Sequence, residues 1–217
     1  MSTQPYVGTL AELFARSEAA FPEQPVAMYT DGTCSYTYAQ MCSKCRDLDK
    51  ALNSYGIGKG DRVAILSENM PHWMIAFFTA TAFGRITVPL LPDCSSNEVT
   101  NILTHSETKV VFVSKKQRAK ITDEVAAGLK LIIPIETLEI DAAPECEPFP
   151  TEGTEAITPD DLTAIIYTSG TSGNAKGVML SHRNLCGNMM CATHIELAYP
   201  GDVWLSVLPM GHTLEMS

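Results

Sequence analysis

The sequence predicts an α/β fold in which mostly parallel sheets are flanked by helices. Short apolar runs of strand length alternate along the chain with longer runs that have helical spacing. Capping boxes, which mark helix starts, occur at Thr9–Glu12 and Ser95–Glu98. The 217 residues, 45% of them apolar, suffice for one large or two small globular domains. Strands that alternate with helices of this length are typical of βαβ units.

Each predicted element rests on its own periodicity and its own end signals. Helices are predicted behind the two capping boxes and over 38–55, 70–83, 115–127 and 183–197. The run 70–83 is the most apolar and too short to span a bilayer, so it predicts a buried helix. The predicted strands are 26–29, 34–38, 63–66, 86–90, 110–113, 131–133, 164–167, 178–180 and 203–208.

Residues 141–161 interrupt this alternation. They contain four prolines and seven acidic residues but no basic residue. Such a composition predicts a surface linker. We therefore expect an α/β subdomain over 1–140, and the start of a second α/β subdomain over 162–217.

Charge and cysteine usage exclude several classes of protein. A net charge of −10 argues against a nucleic-acid binder, which needs a basic stripe. The N-terminus has neither the basic region nor the apolar core of a secretory signal, and no apolar run is long enough for a transmembrane helix. Cys42 and Cys45 form a lone CxxC, but their helical spacing predicts buried thiols rather than a redox or zinc site. A reducing, cytoplasmic location follows, and peripheral membrane contact stays open.

The most informative stretch is Tyr-Thr-Ser-Gly-Thr-Ser-Gly-Asn-Ala-Lys-Gly-Val, residues 167–178. An apolar strand leads into four hydroxyl residues that alternate with two glycines, and Lys176 follows. Glycines let backbone N–H groups line a concave anion site, and a lysine adds a mobile positive charge. The common P-loop is excluded because Gly177, rather than Ser or Thr, follows the lysine. The stretch predicts a phosphate-binding loop; the alternative is a Ser/Gly hairpin turn beside a surface lysine.

This loop resembles that of the adenylate-forming (AMP-binding) enzymes, whose usual text is Tyr-Thr-Ser-Gly-Thr-Thr-Gly-x-Pro-Lys-Gly-Val. The chain departs from it at Ser172, which keeps the hydroxyl, and at Ala175, which removes a proline. The segment 83–92 is similar to another stretch of the family. The closing Leu-Pro-Met-Gly-His-Thr-Leu-Glu, residues 208–215, looks like that of long-chain fatty acyl-CoA synthetases.

The resemblance implies that ATP activates a carboxylic acid, here a fatty acid, to an acyl-adenylate, which coenzyme A then converts to a thioester. It places the β- and γ-phosphates of ATP among Thr168, Ser169, Gly170, Thr171, Ser172 and Gly173. It implies that Lys176 neutralises the negative charge of the departing pyrophosphate, which is a form of electrostatic stabilisation. It also implies that Thr168 touches Mg²⁺ and that His212 and Glu215 face the acid.

Alternatives to these assignments remain. His212 could be a satisfied core histidine, and Glu215 could pair with a basic group elsewhere. The resemblance covers only the first part of the family's sequence, so we expect an N-terminal fragment that is inactive alone. The acid could instead be an aryl or amino acid, or the chain could be a non-catalytic nucleotide- or partner-binding protein. The sequence leaves the oligomeric state open.

Overall fold

A six-stranded sheet organises the chain in the computed structural model, which describes residues 7–140, 156–168, 176–195, 199 and 201–212. The strand order is β6-β5-β3-β4-β7-β8. Its strands are β3 (Arg62–Leu66), β4 (Ile86–Leu90), β5 (Val110–Val113), β6 (Leu131–Pro134), β7 (Leu162–Thr168) and β8 (Lys176–Ser181). The first five are mutually parallel and β8 is antiparallel to β7. The predicted α/β class with a mostly parallel sheet is confirmed.

Helices cover both faces of this sheet. They are α1 (Leu10–Ala20), α2 (Tyr38–Ser54), α3 (Pro71–Thr81), α4 (Ser96–His105), α5 (Asp123–Gly128) and α6 (His182–Ile195). The first three pack with one side of β3 and β5, where Val63, Ile65 and Phe112 are fully buried. The next two pack on the opposite side, against Ala64, Leu66 and Val111. Alternate strand residues thus serve two cores, as strands buried on both faces require.

Local signals set the helix boundaries. The Ser95 hydroxyl accepts the Glu98 N–H while the Glu98 carboxylate accepts the Ser95 N–H, so the predicted capping box is confirmed. At Thr9 the hydroxyl caps the Glu12 N–H, but the Glu12 carboxylate bonds the N–H of Gly8 instead. Helix α2 ends before Gly56, whose φ of 66° lies in the left-handed region that glycine tolerates.

The two thiols of the CxxC pair lie in the core. Cys42 and Cys45 are fully buried among the apolar side chains of α2 and α3. Burial raises the pKa of Cys42 to about 11 and that of Cys45 to about 12, so both stay protonated at neutral pH. The six described cysteines are free. The expectation of inert, buried thiols is confirmed for this pair.

The single helix predicted over 115–127 is wrong. Residues 118–120 form one 3-10 turn, Ile121 is extended, and α5 begins only at Asp123. The break has a clear cause, because Thr122 is extended and its hydroxyl caps the N–H of Val125. The N-cap at Thr122 therefore divides the segment 115–127, although its apolar residues have helical spacing throughout.

The strand predicted over 203–208 is also wrong. Those residues form no strand, and Val203, Leu205 and Val207 are 87%, 69% and 73% exposed. An apolar run becomes a strand when a neighbouring strand satisfies its backbone. Within residues 201–212 and the other described ranges, no strand pairs with this run.

The first two predicted strands exist in shortened form. They are β1 (Pro25–Ala27) and β2 (Tyr36–Thr37), an antiparallel pair with an irregular register. Asp31 organises the predicted turn between them, since its carboxylate accepts both the N–H and the hydroxyl of Thr33. The pair forms a small sheet separate from the main one.

The predicted linker joins β6 to β7 of the one main sheet. Its residues 141–155 lie outside the described part of the chain. Its last residues are anchored by ion pairs from Asp161 to Lys59 and from Asp160 to Arg183. The division into two subdomains stays a prediction. Among the described residues, no helix combines the length and the hydrophobicity that crossing a membrane needs.

Candidate active site

The candidate site lies at the carboxyl edge of the main sheet. Parallel strands end at the same edge, so the ends of β3, β4 and β7 lie side by side there. The strand order reverses between β3 and β5, because the chain passes from β3 to β4 on one side and then returns to β5 on the other side of β3. Ligands of open α/β sheets bind outside the carboxyl ends of strands at such a switch point.

Thr168 and Lys176 face each other at this edge. Thr168 is the last residue of β7, Lys176 is the first of β8, and the two are cross-strand partners. Both are exposed. The structure thus brings together the first hydroxyl and the lysine of the predicted phosphate-binding loop. Ser169, Gly170, Thr171, Ser172 and Gly173 lie outside the described residues.

Gly177 has a steric reason to follow the lysine. A Cβ at this position would lie 2.9 Å from Ile165 Cγ2 and 3.3 Å from Tyr167 Cζ. Tyr167 is its cross-strand partner, so the aromatic ring lies over the glycine backbone. A larger residue here would force the Ile165 and Tyr167 side chains to shift.

Tyr167 also connects the loop strand to α4. Its hydroxyl lies 2.7 Å from Nδ1 of His105, and the two rings meet edge to face with centroids 5.7 Å apart. Burial raises the pKa of the Tyr167 hydroxyl, so it stays protonated and can donate to the imidazole. The sequence analysis gave His105 no role. The two residues are 62 positions apart, and no local sequence pattern predicts their contact.

His212 lies at the same edge but reaches it by a different route. Its N–H donates to the Pro209 carbonyl at 2.8 Å, which closes a turn. The preceding Gly211 lies against the end of β4, since a Cβ there would be 3.5 Å from the Leu90 carbonyl oxygen. His212 itself is exposed, so the core-histidine interpretation fails. Glu215 lies outside the described residues.

Asn69 holds the segment that leads to His212. It follows the end of β3, and its side-chain Nδ2 donates to the Leu208 carbonyl at 2.6 Å and to the Ser206 hydroxyl at 3.1 Å. Its Oδ1 accepts the Met210 N–H at 2.8 Å. Sequence reasoning missed this residue. Its place just beyond a buried strand, at the carboxyl edge, was the available signal.

A carboxylate at the same edge serves the fold. Glu68 accepts hydrogen bonds from the Ser114 hydroxyl and the Gln117 amide, and it lies 3.6 Å from the Lys116 ammonium. Burial raises its pKa, but these hydrogen bonds and the lysine outweigh burial, so the net pKa is lowered and the group is ionised. Its oxygens are used in joining the ends of β3 and β5.

The loop strands are anchored at the opposite edge by a buried histidine. His182, the first residue of α6, is fully buried, and its Nδ1 accepts the Leu10 N–H at 3.1 Å. Among the residues that the structure describes, its Nε2 has no hydrogen-bond partner. Burial lowers the pKa of this imidazole to about 4, so the ring is neutral at physiological pH. The structure gives His182 a role in joining the start of α6 to the start of α1.

Comparison with known proteins places this site in a family. The AMP-binding enzyme family matches residues 14–217. Fatty acyl-CoA synthetase A of Dictyostelium discoideum is 30% identical over 82% of the chain, and 4-coumarate–CoA ligase 2 of Oryza sativa subsp. japonica is 32% identical over 94%. The chain spans only 30% and 40% of their lengths.

A solved structure shares the architecture as well. The N-terminal domain of FACL13 from Mycobacterium tuberculosis superimposes with a TM-score of 0.79 at 26% identity, and the match covers 96% of this chain and 53% of that one. The α/β architecture and the family match agree. The chain belongs to the AMP-binding enzyme family.

Proposed function

We propose that the full-length protein uses ATP to activate a fatty acid and then transfers the acyl group to coenzyme A. One observation carries this proposal: Thr168 and Lys176 are paired in register at the carboxyl edge of the main sheet, so that residues 169–175 connect a hydroxyl to a cation there. A hydroxyl- and glycine-rich loop closed in this way suits the phosphates of a nucleotide.

The first step joins the acid to AMP. A carboxylate oxygen attacks the α-phosphorus of ATP, the bond from this phosphorus to the bridging oxygen breaks, and pyrophosphate leaves with the electron pair. The hydroxyls of the loop would donate to the β- and γ-phosphates. Lys176, exposed beside the loop, would neutralise the charge that builds up on pyrophosphate.

The second step needs no protein nucleophile. The thiolate of coenzyme A attacks the acyl carbonyl, the carbonyl–phosphate oxygen bond breaks, and AMP leaves. A carboxylate alone is a poor acylating agent, and the mixed anhydride with AMP supplies the leaving group. A carrier-protein thiol could act in place of coenzyme A by the same chemistry.

Mg²⁺ is part of the proposal through Thr168. Among the described residues, no group of three or more His, Cys, Asp or Glu side chains could hold a metal ion. An exposed threonine hydroxyl nevertheless fits a cation that takes oxygen ligands and is bound mainly by phosphate and water oxygens. When bound, Mg²⁺ would supply positive charge to the phosphates that Lys176 also faces.

The acid class rests on the segment 208–215 and on the activity named for the Dictyostelium relative. His212 is exposed at the edge, where it can meet a carboxylate. The rice relative is named for a phenolic acid, which keeps aryl acids as the competing substrate class. A cytoplasmic protein with peripheral membrane contact fits a fatty-acid substrate and the free thiols.

An ATP–pyrophosphate exchange assay of the full-length protein tests the proposal. The panel contains fatty, aryl and amino acids at equal concentration. We expect exchange that depends on fatty acids and thioester formation when coenzyme A is added. Exchange with aryl or amino acids alone would change the acid class, and no exchange with any acid would favour a non-catalytic nucleotide-binding protein. We expect the 217-residue chain alone to show no turnover.

A further inference from the structure

The segment before His212 is held at one end by a side chain instead of by regular structure. Residues 201–212 contain no helix or strand, and Val203, Trp204 and Leu205 are 87%, 64% and 69% exposed. Met210 packs against the core, but the side chains of residues 203–208 are exposed and contribute little packing to the position of the segment. What fixes the chain before His212 must be sought in its polar contacts.

The Asn69 amide provides those contacts. Its two ends bond the backbone on either side of Pro209, with Nδ2 donating to the Leu208 carbonyl and Oδ1 accepting the Met210 N–H. The second Nδ2 hydrogen reaches the Ser206 hydroxyl. A side-chain amide matches a backbone donor and acceptor as a neighbouring strand would. We call these three hydrogen bonds the Asn69 clamp.

The clamp is built on the most rigid part of the fold. Asn69 lies three residues beyond Leu66, at the end of a strand whose residues 63–66 are fully buried. A side chain on such a support holds its partner within a narrow range of positions. On the other side of the segment, the Gly211 backbone rests against the Leu90 carbonyl at the end of β4. Two neighbouring strand ends thus direct the chain into His212.

We propose that Asn69 is a positioning residue that sets His212 for the carboxylic acid. The inference rests on the proposed function, in which His212 meets the acid while the phosphates lie at Thr168 and Lys176. Asn69 contacts the segment that leads to His212, and it follows β3, which β4 separates from β7. Its loss should therefore weaken use of the acid while leaving use of ATP almost unchanged.

The test uses two Asn69 variants of the full-length protein. Asn69→Ala removes the clamp, and Asn69→Asp keeps the acceptor but loses both donors at nearly constant size. Asn101→Ala, on the exposed face of α4, is the matched control. In ATP–pyrophosphate exchange we expect KM for the acid to rise about tenfold in Asn69→Ala, with KM for ATP within about twofold. The control should match the wild type.

A double variant separates positioning from a general effect on stability. If Asn69 acts through His212, adding Asn69→Ala to His212→Ala should change KM for the acid by less than about twofold, because coupled residues are not additive. Full additivity, or equal rises in both KM values, would overturn the inference.

Amide hydrogen exchange gives a readout that does not need activity. The N–H groups of Met210 and His212 should exchange at least about tenfold faster in Asn69→Ala than in the control. If the amide exchange rates of Met210 and His212 are unchanged in Asn69→Ala, the clamp does not hold this segment, whether or not the enzyme is active. If no acid supports ATP–pyrophosphate exchange by the wild type, the proposed function and the role given to His212 are both wrong. Faster amide exchange in Asn69→Ala would still establish the clamp.

Discussion

Two apolar runs of similar length behave in opposite ways in this molecule. Residues 86–90 form β4 and every one of them is buried, whereas residues 203–208 are all exposed and form no strand. Both contain valine and leucine in a pattern that predicts a strand. The difference is the neighbours: β4 has β3 on one side and β7 on the other, and the later run pairs with no strand in the described ranges.

This contrast separates two parts of the molecule. The support consists of the buried strands of the main sheet and the helices packed on them, and the edge consists of the exposed residues at the carboxyl ends of those strands. The interior strands derive their position from two hydrophobic cores, in which a buried polar side chain costs free energy unless it is hydrogen-bonded. The residues proposed for catalysis, Thr168, Lys176 and His212, are exposed and are placed by the strands beneath them. Changes in the support should therefore alter stability, and changes at the edge should alter chemistry alone.

Removing Arg85 from the support should have the largest effect. Its guanidinium is fully buried, pairs with Asp49 at 2.7 Å, and also bonds the Asn53 side chain and the Ile57 carbonyl. Arg85→Ala leaves these groups without a partner and should cost about 3–5 kcal/mol of unfolding free energy. Urea unfolding midpoints measure it. Lys50→Ala, at an ion pair that is mostly exposed, should leave the unfolding midpoint unchanged. Equal shifts of the midpoint in Arg85→Ala and Lys50→Ala would contradict the distinction between buried support and exposed surface.

Lys176→Ala should show the reverse pattern. Because the side chain is exposed, the unfolding midpoint should stay as in the wild type. Loss of one charged contact to the departing group typically costs about 2.7–4 kcal/mol, or roughly 10²–10³ in rate. Rapid-quench measurement of adenylate formation should show this loss. Thioester formation from supplied acyl-adenylate should be nearly normal, and equal slowing of both steps would contradict the proposed role.

His182 should make the support sensitive to acid. Its folded pKa of about 4 lies below the unfolded value near 6.5, so between these values the unfolded chain binds more protons. Stability contributed by the neutral ring is complete above pH 6.5 and is lost as the pH falls toward 4. At about 1.4 kcal/mol per pKa unit, the loss is about 3 kcal/mol.

The variant His182→Asn tests this by removing the titration. Its side chain can still accept the Leu10 N–H. Urea unfolding of both proteins at several pH values should give curves whose difference shrinks by about 3 kcal/mol between pH 6.5 and 4. Parallel curves would show that His182 does not cause the acid loss.

The smallest effect is expected where support and edge meet. Tyr167→Phe keeps the ring over Gly177 and removes the hydrogen bond to His105. One such bond contributes about 1 kcal/mol, so KM for ATP should rise by about fivefold at most with kcat little changed. Steady-state kinetics decide it. Tyr199→Phe, at a side chain that is 63% exposed, is the control, and identical kinetics of both variants would exclude a role for the bond.

Sequence reasoning succeeded where local pattern and burial agree. Strands β3–β6 are continuous apolar runs, and the Ser95–Glu98 box marks the start of α4, so these elements were predictable within a few residues. The loop from Thr168 to Lys176 was predictable because its hydroxyls, glycines and lysine are contiguous. Its placement at the carboxyl edge followed once β7 was parallel to β4.

Most of the failures concern partners that are distant in sequence. The Asn69 amide bonds residues 137–141 positions away, and His105 meets Tyr167 across 62 positions. The exposure of residues 203–208 depends on the absence of a paired strand among the described residues, which no local pattern encodes. The division at Thr122 was different, since an N-cap residue was visible within the predicted helix.

The path between β6 and β7 has a consequence for protein engineering. β6 is the outermost strand on one side, and β7 lies beyond β5, β3 and β4, four strand spacings away. At about 4.8 Å per spacing this is about 19 Å across the sheet. Because β6 and β7 are parallel, the connection must also return from the carboxyl edge to the amino edge, and such a crossover needs roughly a dozen or more residues. The connection has 27 residues, from 135 to 161. Because lengthening an already long connection costs little, residues 141–155 are the place to insert an affinity tag or to divide the chain for fragment complementation.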